Sequence, residues 1–462
     1  MIKIKSIEFV DDPILGSQIL DFTIDGKPAS TVVFAGKNGI GKTRLLSFIY
    51  NISKKNIMSS NSKYGKLCAI VTIDLREEMI FSALNKIDEA KISCYNDNGN
   101  FLYYISYYSI GAEYDIVKKA YDDGVKYYHF KLKTLFSKVD INYTPDKEVS
   151  SVSNRSLDVD DTSIPRDLAG EIIQLLVDIK NQDNNDLAEY VENHPDKVVP
   201  ETKKNIRTKR FNSAFYYIFN KSLRFSGLVN NTIPVFKKGN SIINITDLSS
   251  GEKQIVFRGI YLLKNKEALK DVMVLVDEPE ISMHPLWNKN IYNYYRRLFK
   301  EDNENNTPQL FMATHSEYVI ESALADENCV IIKLDKDKNE RYGKVIKNSI
   351  LNTISSAEIK YRIFDIPSID YHIQLYSYIQ NNFVGEKESI KDVDNYLISE
   401  GFPEKRYEFL DKSGNVRMYN CLCTYIRNCI DHPDTVHKFT SSEFKKSLNY
   451  MIKFIMNSNN DS

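Results

Sequence analysis

The sequence predicts an α/β chain organised on a parallel sheet, and three apolar runs predict it. Thr31-Val32-Val33-Phe34-Ala35 leads into Gly36-Lys37-Asn38-Gly39-Ile40-Gly41-Lys42-Thr43, and a helix-like run, Arg44-Leu45-Leu46-Ser47-Phe48-Ile49-Tyr50, follows. Asp271-Val272-Met273-Val274-Leu275-Val276 ends in Asp277-Glu278-Pro279. Gln309-Leu310-Phe311-Met312 ends in Ala313-Thr314-His315-Ser316. Continuous apolar runs of this length read as strands covered on both faces, and ligands collect where such strands end.

The first run carries a complete G-x-x-x-x-G-K-T phosphate loop in its required strand–loop–helix setting. Its glycines let backbone N–H groups turn inward around an anion. The helix that follows adds its positive dipole end. Lys42 is placed to reach the β- and γ-phosphates, and Thr43 to ligate Mg²⁺. The second run supplies the partner carboxylates. Asp277 is the candidate second Mg²⁺ ligand, through water, and Glu278 the group that orients and polarises the attacking water. Alone, the pair is an ordinary solvated strand end; the phosphate loop makes it a site.

Between these runs lies Leu248-Ser249-Ser250-Gly251-Glu252-Lys253-Gln254, about one helix before the acidic strand. Ser282-Met283-His284-Pro285 follows the acidic pair. The heptapeptide resembles the signature of ABC-type ATPases, in the form seen in SMC-like and DNA-repair members. Ser282–Pro285 and Ala313–Ser316 look like that family's D-loop and switch histidine. The resemblance covers roughly residues 1–60 and 235–345. It implies ATP and Mg²⁺ as ligands and a homodimer of two heads that traps ATP between them. Ser249, Ser250, Gly251 and Glu252 of one subunit would close over Gly36, Lys37, Asn38, Gly39, Ile40, Gly41, Lys42 and Thr43 of the other. His315 would sense the γ-phosphate. The family's usual Mg²⁺-binding Gln is not evident in Leu67–Asp74, so that role stays unassigned.

The expected architecture is an ABC-type head with an antiparallel β-lobe, a helical insert and a helical C-terminal domain. Residues 1–150 form the first half of the head, and 236–350 the second. Lys91–Tyr95 and Phe101–Tyr108 alternate around a turn at Asp97-Asn98-Gly99-Asn100, as paired strands do. The polar stretch Glu148–Ser163 reads as a loop. Residues 151–235 are mostly helical, beginning near Leu168–Ile179. No sustained heptads occur, which excludes a long coiled coil. Within the insert, Lys203–Phe211 is a basic cluster beside Phe215, Tyr216 and Tyr217. Such residues track a phosphate backbone, but a solvated helix face over an aromatic core is the stronger reading.

Residues 355–462 read as mostly helical and separate from the head. Here Tyr425-Ile426-Arg427-Asn428-Cys429-Ile430-Asp431-His432-Pro433 places a histidine where Pro433 stops a helix. A new helix starts at the capping box Thr440-Ser441-Ser442-Glu443. Arg427 and His432 are similar to the R-x-(four to six)-H motif of HEPN-type ribonucleases, which implies acid–base work by His432 and charge stabilisation by Arg427. The alternative, Arg427 pairing with Asp431 or Asp434 at a helix end, stands equally. Cys421, Cys423 and Cys429 lack a paired zinc knuckle and read as buried thiols. Asp335-Lys336-Asp337 is similar to the acidic pair of TOPRIM nucleases but reads better as the turn of a hairpin.

Composition adds limits. The chain has 462 residues, 42% hydrophobic and 27% charged, with a net charge of −1. These are values of a globular protein of two or three domains, with no global field for nucleic acid. No run of about 18 apolar residues occurs, so no membrane span is expected. The N-terminus alternates as a strand does and is no signal peptide. Six scattered cysteines read as reduced and cytoplasmic. The resemblance therefore implies an ATPase of bacterial anti-phage or restriction-associated systems. Its nucleotide-driven dimers, or higher oligomers, would control its own HEPN-like domain or a partner nuclease acting on RNA or DNA. The rivals are a DNA-end-binding repair ATPase and a slowly hydrolysing scaffold.

Overall fold

The computed structural model describes residues 2–12, 15–54, 66–74, 89–97, 100–108, 133–138, 168–220, 222–263, 272–299, 307–337, 340–346, 349–351, 353–385, 388–410, 414–433 and 438–460. The chain divides into two compact units, 1–346 and 347–462.

The first unit opens with strands β1 (Lys3–Asp12), β2 (Gly16–Asp21), β3 (Thr23–Ile24), β4 (Lys27–Pro28) and β5 (Thr31–Ala35), then helix α1 (Lys42–Lys54). Strands β6 (Lys66–Asp74), β7 (Glu89–Asp97), β8 (Asn100–Tyr108) and β9 (Lys133–Ser137) follow. Helices α2 (Leu168–Asn193) and α3 (Ile206–Phe219) precede β10 (Leu223–Val229), β11 (Ile233–Lys238) and β12 (Ser241–Asn244). The unit ends with α4 (Ser250–Leu263), β13 (Val272–Asp277), α5 (Pro285–Leu298), β14 (Gln309–Thr314), α6 (Glu317–Leu324), β15 (Cys329–Asp337) and β16 (Glu340–Ile346).

The three apolar runs lie together in one six-stranded sheet of order β16-β15-β5-β14-β13-β9. Five neighbours run parallel and β16 closes one edge antiparallel. Every residue of β5, β13 and β14 is buried, which is why these strands lack polar alternation. A second sheet, β2-β1-β6-β7-β8, is antiparallel throughout. Gln309 joins the two layers: its amide donates to the Ile4 and Ala29 carbonyls, and its Oε1 accepts from the Ile4 N–H. The fold is thus α/β, with a mixed sheet, flanking helices and an antiparallel lobe, as expected.

Two local expectations hold and one shifts. Strands β7 and β8 pair from Glu89–Tyr108 to Asp97–Asn100; the turn residues 98 and 99 lie outside the described residues. Asp335–Asp337, expected in the turn, instead belongs to strand β15 and pairs with Tyr342, Arg341 and Glu340 of β16. The helix begun at Leu168 runs on to Asn193. The stretch 148–163 lies outside the described residues. The segment read as helical to residue 235 already turns to strand at Leu223.

The second unit contains α7 (Ser356–Phe364), α8 (Ile369–Ile379), α9 (Ile390–Ser399), strands β17 (Glu404–Leu410) and β18 (Val416–Cys421), α10 (Leu422–Asp431) and α11 (Ser441–Asn460). The β17–β18 hairpin is the one strand pair described within this otherwise helical unit. Its outer positions, Leu410, Val416 and Met418, alternate with polar residues, a period-two pattern hidden among charged residues. Asp394 receives the Asn420 and Cys421 N–H groups at 2.7 and 2.9 Å, so a helix holds the strand end. Cys421, Cys423 and Cys429 are buried thiols. No helix is long and apolar enough to cross a membrane among the described residues.

Candidate functional site

The phosphate loop leaves β5 at Gly36, whose φ is +147°. A Cβ there would lie 2.5 Å from the Leu334 carbonyl oxygen, so a bare backbone is required for the loop to pass β15. Lys42 begins α1 and is folded over the loop. Its Nζ donates to the Gly36 carbonyl at 2.9 Å and the Lys37 carbonyl at 3.1 Å. Burial lowers its pKa, opposed by the charges of Glu278, Glu280 and Asp277.

Strand β13 sits two places from β5, with β14 between, and delivers Asp277 to the same sheet edge. Burial raises the Asp277 carboxyl, while a hydrogen bond from Thr43 lowers it. Its Oδ1 is buried without a hydrogen-bond partner. An unpaired buried carboxylate oxygen is costly and calls for a cation. Two hard oxygen donors, Thr43 and Asp277, suit Mg²⁺.

Glu278 has φ +43°, a left-handed backbone that non-glycine residues adopt at a cost of roughly 1–3 kcal/mol. Its N–H donates to the Ala313 carbonyl at 2.8 Å, which fixes this conformation against β14. His315 extends from the end of β14, and its Nδ1 lies 3.4 Å from both Glu278 Oε1 and Glu280 Oε1.

Two residues escaped the sequence reading. Glu280 Oε1 accepts from the Thr314 hydroxyl at 2.7 Å and the His315 N–H at 2.9 Å. It thereby sets the backbone that carries His315. Arg258 is fully buried on α4. It donates to the Asp277 carbonyl at 2.9 Å, the Glu278 carbonyl at 3.3 Å and the Lys138 carbonyl at 3.1 Å. A buried charge must be hydrogen-bonded, and Arg258 uses that need to clamp the acidic strand end. A second glutamate two residues after Glu278 was the local signal for Glu280; no local signal marks Arg258.

Ser249 and Ser250 are exposed where α4 starts. Glu252 is turned onto that start: its Oε2 accepts from the Ser249 N–H and hydroxyl, both at 2.9 Å. Lys238 Nζ completes the cap at 2.8 Å from Glu252 Oε1. Despite burial, these partners leave the Glu252 pKa lowered. Gly251 lies against the Ser282–Met283 backbone, where a Cβ would meet the Ser282 oxygen at 2.7 Å. Thus Lys42, Thr43, Asp277, Glu278 and His315 converge, while the signature residues' own hydrogen bonds run elsewhere.

In the second unit, Arg427 Nη1 lies 2.6 Å from Asp431 Oδ2, the helical pairing weighed above. α10 stops at His432, whose N–H donates to the Asn428 carbonyl. The exposed His432 ring stands 6.2 Å from the Phe409 ring. Thr440 and Glu443 form the expected reciprocal cap.

A phosphate loop on a parallel sheet with an acidic strand end beside it defines a P-loop ATPase-type nucleotide-binding head. Residues 71–321 match a family model described as "AAA domain, putative AbiEii toxin, Type IV TA system". That is more than half of the chain, and the chain belongs to this family. No curated protein matches. Among solved structures, the chain is similar to the Smc head domain with an extended coiled coil bound to the C-terminal domain of ScpA from Pyrococcus furiosus. Identity is 12% and the TM-score 0.41, covering 75% of this chain and 97% of that one. It is also similar to the SMC head domain from Thermotoga maritima, at 12% identity and a TM-score of 0.38, covering 75% and 99%.

Proposed function

We propose that this chain is an ABC-type ATPase of the SMC-like branch, in which Mg²⁺–ATP bound between two copies switches an effector. One observation carries the reading. Lys42, Thr43, Asp277, Glu278 and His315 gather at one loop, while Ser249 and Ser250 stay exposed on a separately braced helix start. A phosphate loop with its charged groups gathered beside it, and a pair of serines exposed on a separately braced helix start, are what two copies would bring together.

Within this reading the phosphate loop cradles the triphosphate, and bound Mg²⁺ neutralises charge developing on the phosphates. Thr43 and Asp277 would hold that ion. Lys42 exchanges its loop carbonyls for phosphate oxygens. Glu278 orients the water and accepts its proton. His315, held by Glu280, reads the γ-phosphate. Head halves 1–150 and 236–350, an insert at 151–235 and a C-terminal domain at 355–462 complete the proposed organisation.

The effector is proposed to be a partner protein in a cytoplasmic defence system, a role supported by the toxin–antitoxin wording of the family description. The ribonuclease alternative has weaker support, because Arg427 is already paired with Asp431. The test is steady-state hydrolysis by Glu278→Gln. Turnover should fall at least 100-fold while nucleotide binding persists; full turnover would refute the assignment of Glu278.

A further inference from the structure

A cavity away from the phosphate loop lies between α3 and the β10–β12 sheet. It measures about 580 Å³ and is lined by Lys209, Asn212, Ser213, Tyr216, Arg224 and Lys237, among others. The helix contributes a polar stripe at i, i+3, i+4 and i+7 from Lys209, one face of an α-helix. Its opposite face buries Phe215, Ile218 and Phe219. Asn212 fastens this helix to the sheet through paired hydrogen bonds: its amide donates to the Phe225 carbonyl at 3.0 Å, and its oxygen accepts the Phe225 N–H at 2.7 Å.

The sheet contributes two cations. Arg224 and Lys237 sit directly opposite each other in the β10–β11 register. Like charges in that position are destabilising, and among the described residues neither has a carboxylate partner. Lys209, across the groove, is partly offset by Glu201. Tyr216 is 46% exposed at the same cavity. A rigid groove with adjacent cations on its floor and an aromatic ring on its wall has the two components of single-strand recognition, backbone charge and base stacking.

We propose that this groove binds a single-stranded nucleic acid, with Arg224 and Lys237 on phosphates and Tyr216 against a base. The next residue, Lys238, points to the other face of β11 and caps the signature helix through Glu252.

Fluorescence anisotropy with a labelled oligothymidylate, at low salt and without ATP, tests the binding. Because no nucleotide is added, the outcome does not depend on the ATPase proposal. The Arg224→Gln/Lys237→Gln double variant should bind at least tenfold more weakly. Its log–log salt dependence should be shallower by about 1.4, from roughly 0.7 per lost phosphate contact. Tyr216→Ala should also weaken binding, while the exposed control Lys344→Gln should not. No binding by the wild type, undiminished binding by the double variant or by Tyr216→Ala, or equal competition by polyglutamate of matched charge would overturn the proposal.

Discussion

Replacing Glu280 separates two things that the acidic segment does. In the native protein its Oε1 accepts from Thr314 Oγ1 and the His315 N–H, and the side chain is only 5% exposed. Glu280→Ala removes the acceptor shared by both donors and admits no obvious substitute. Each buried donor left unsatisfied costs about 1–3 kcal/mol; two donors, partly relaxed, give roughly 2–4 kcal/mol. Glu280→Gln keeps an acceptor oxygen in place and should lose less than about 1 kcal/mol in stability. It does remove a charge that favours protonated Lys42. Urea denaturation of the nucleotide-free protein measures the first effect, and steady-state ATP hydrolysis the second. Ala should be destabilised and inactive, Gln near-native in stability but slower. Equal stability losses in both variants would refute the hydrogen-bond account, and a fully stable Ala variant would refute the role of Glu280 as the brace of His315.

Gly251→Ala would press a Cβ to 2.7 Å from the Ser282 oxygen; it should cost about 1–3 kcal/mol and slow hydrolysis, checked by thermal melts and ATPase assays. His372 is held neutral near a pKa of about 3 by burial and, secondarily, by the Arg427 charge. A folded-state pKa below the unfolded value of about 6.5 gives stability that is present above that pH and lost below it, at up to ~1.4 kcal/mol per unit; unfolding midpoints that do not move between pH 6.5 and 4 would contradict this. Arg427→Gln breaks a partly exposed i,i+4 helical pair and should change stability by roughly 0.5 kcal/mol or less. His432→Ala should leave the effect of the protein on tRNA unchanged; a cleavage activity that this variant abolishes would reinstate the ribonuclease reading.

The elements legible in the sequence are those whose chemistry is local. The phosphate loop, the acidic strand end, the signature helix and the histidine after β14 each declare themselves within about ten residues. The helix stop before Pro433 and the cap at Thr440 are local in the same sense. What escaped depends on contacts distant in sequence. Arg258 acts on carbonyls 19, 20 and 120 residues away. Lys238 meets Glu252 because the end of β11 comes to the first turn of α4. The hairpin β17–β18 was missed because its alternation is carried by few apolar residues between charged ones. Gln309 looked like a strand residue, yet its amide joins two sheets across 305 residues.

In the proposed function, ATP joins two copies of this chain through exposed Ser249 and Ser250. Molar mass by light scattering, with Mg²⁺ and a non-hydrolysable ATP analogue, tests it most directly. The wild type should double in mass when nucleotide is added, and Lys42→Ala should remain at the monomer mass of 53.4 kDa. A wild type that binds the analogue yet keeps the monomer mass would contradict the account.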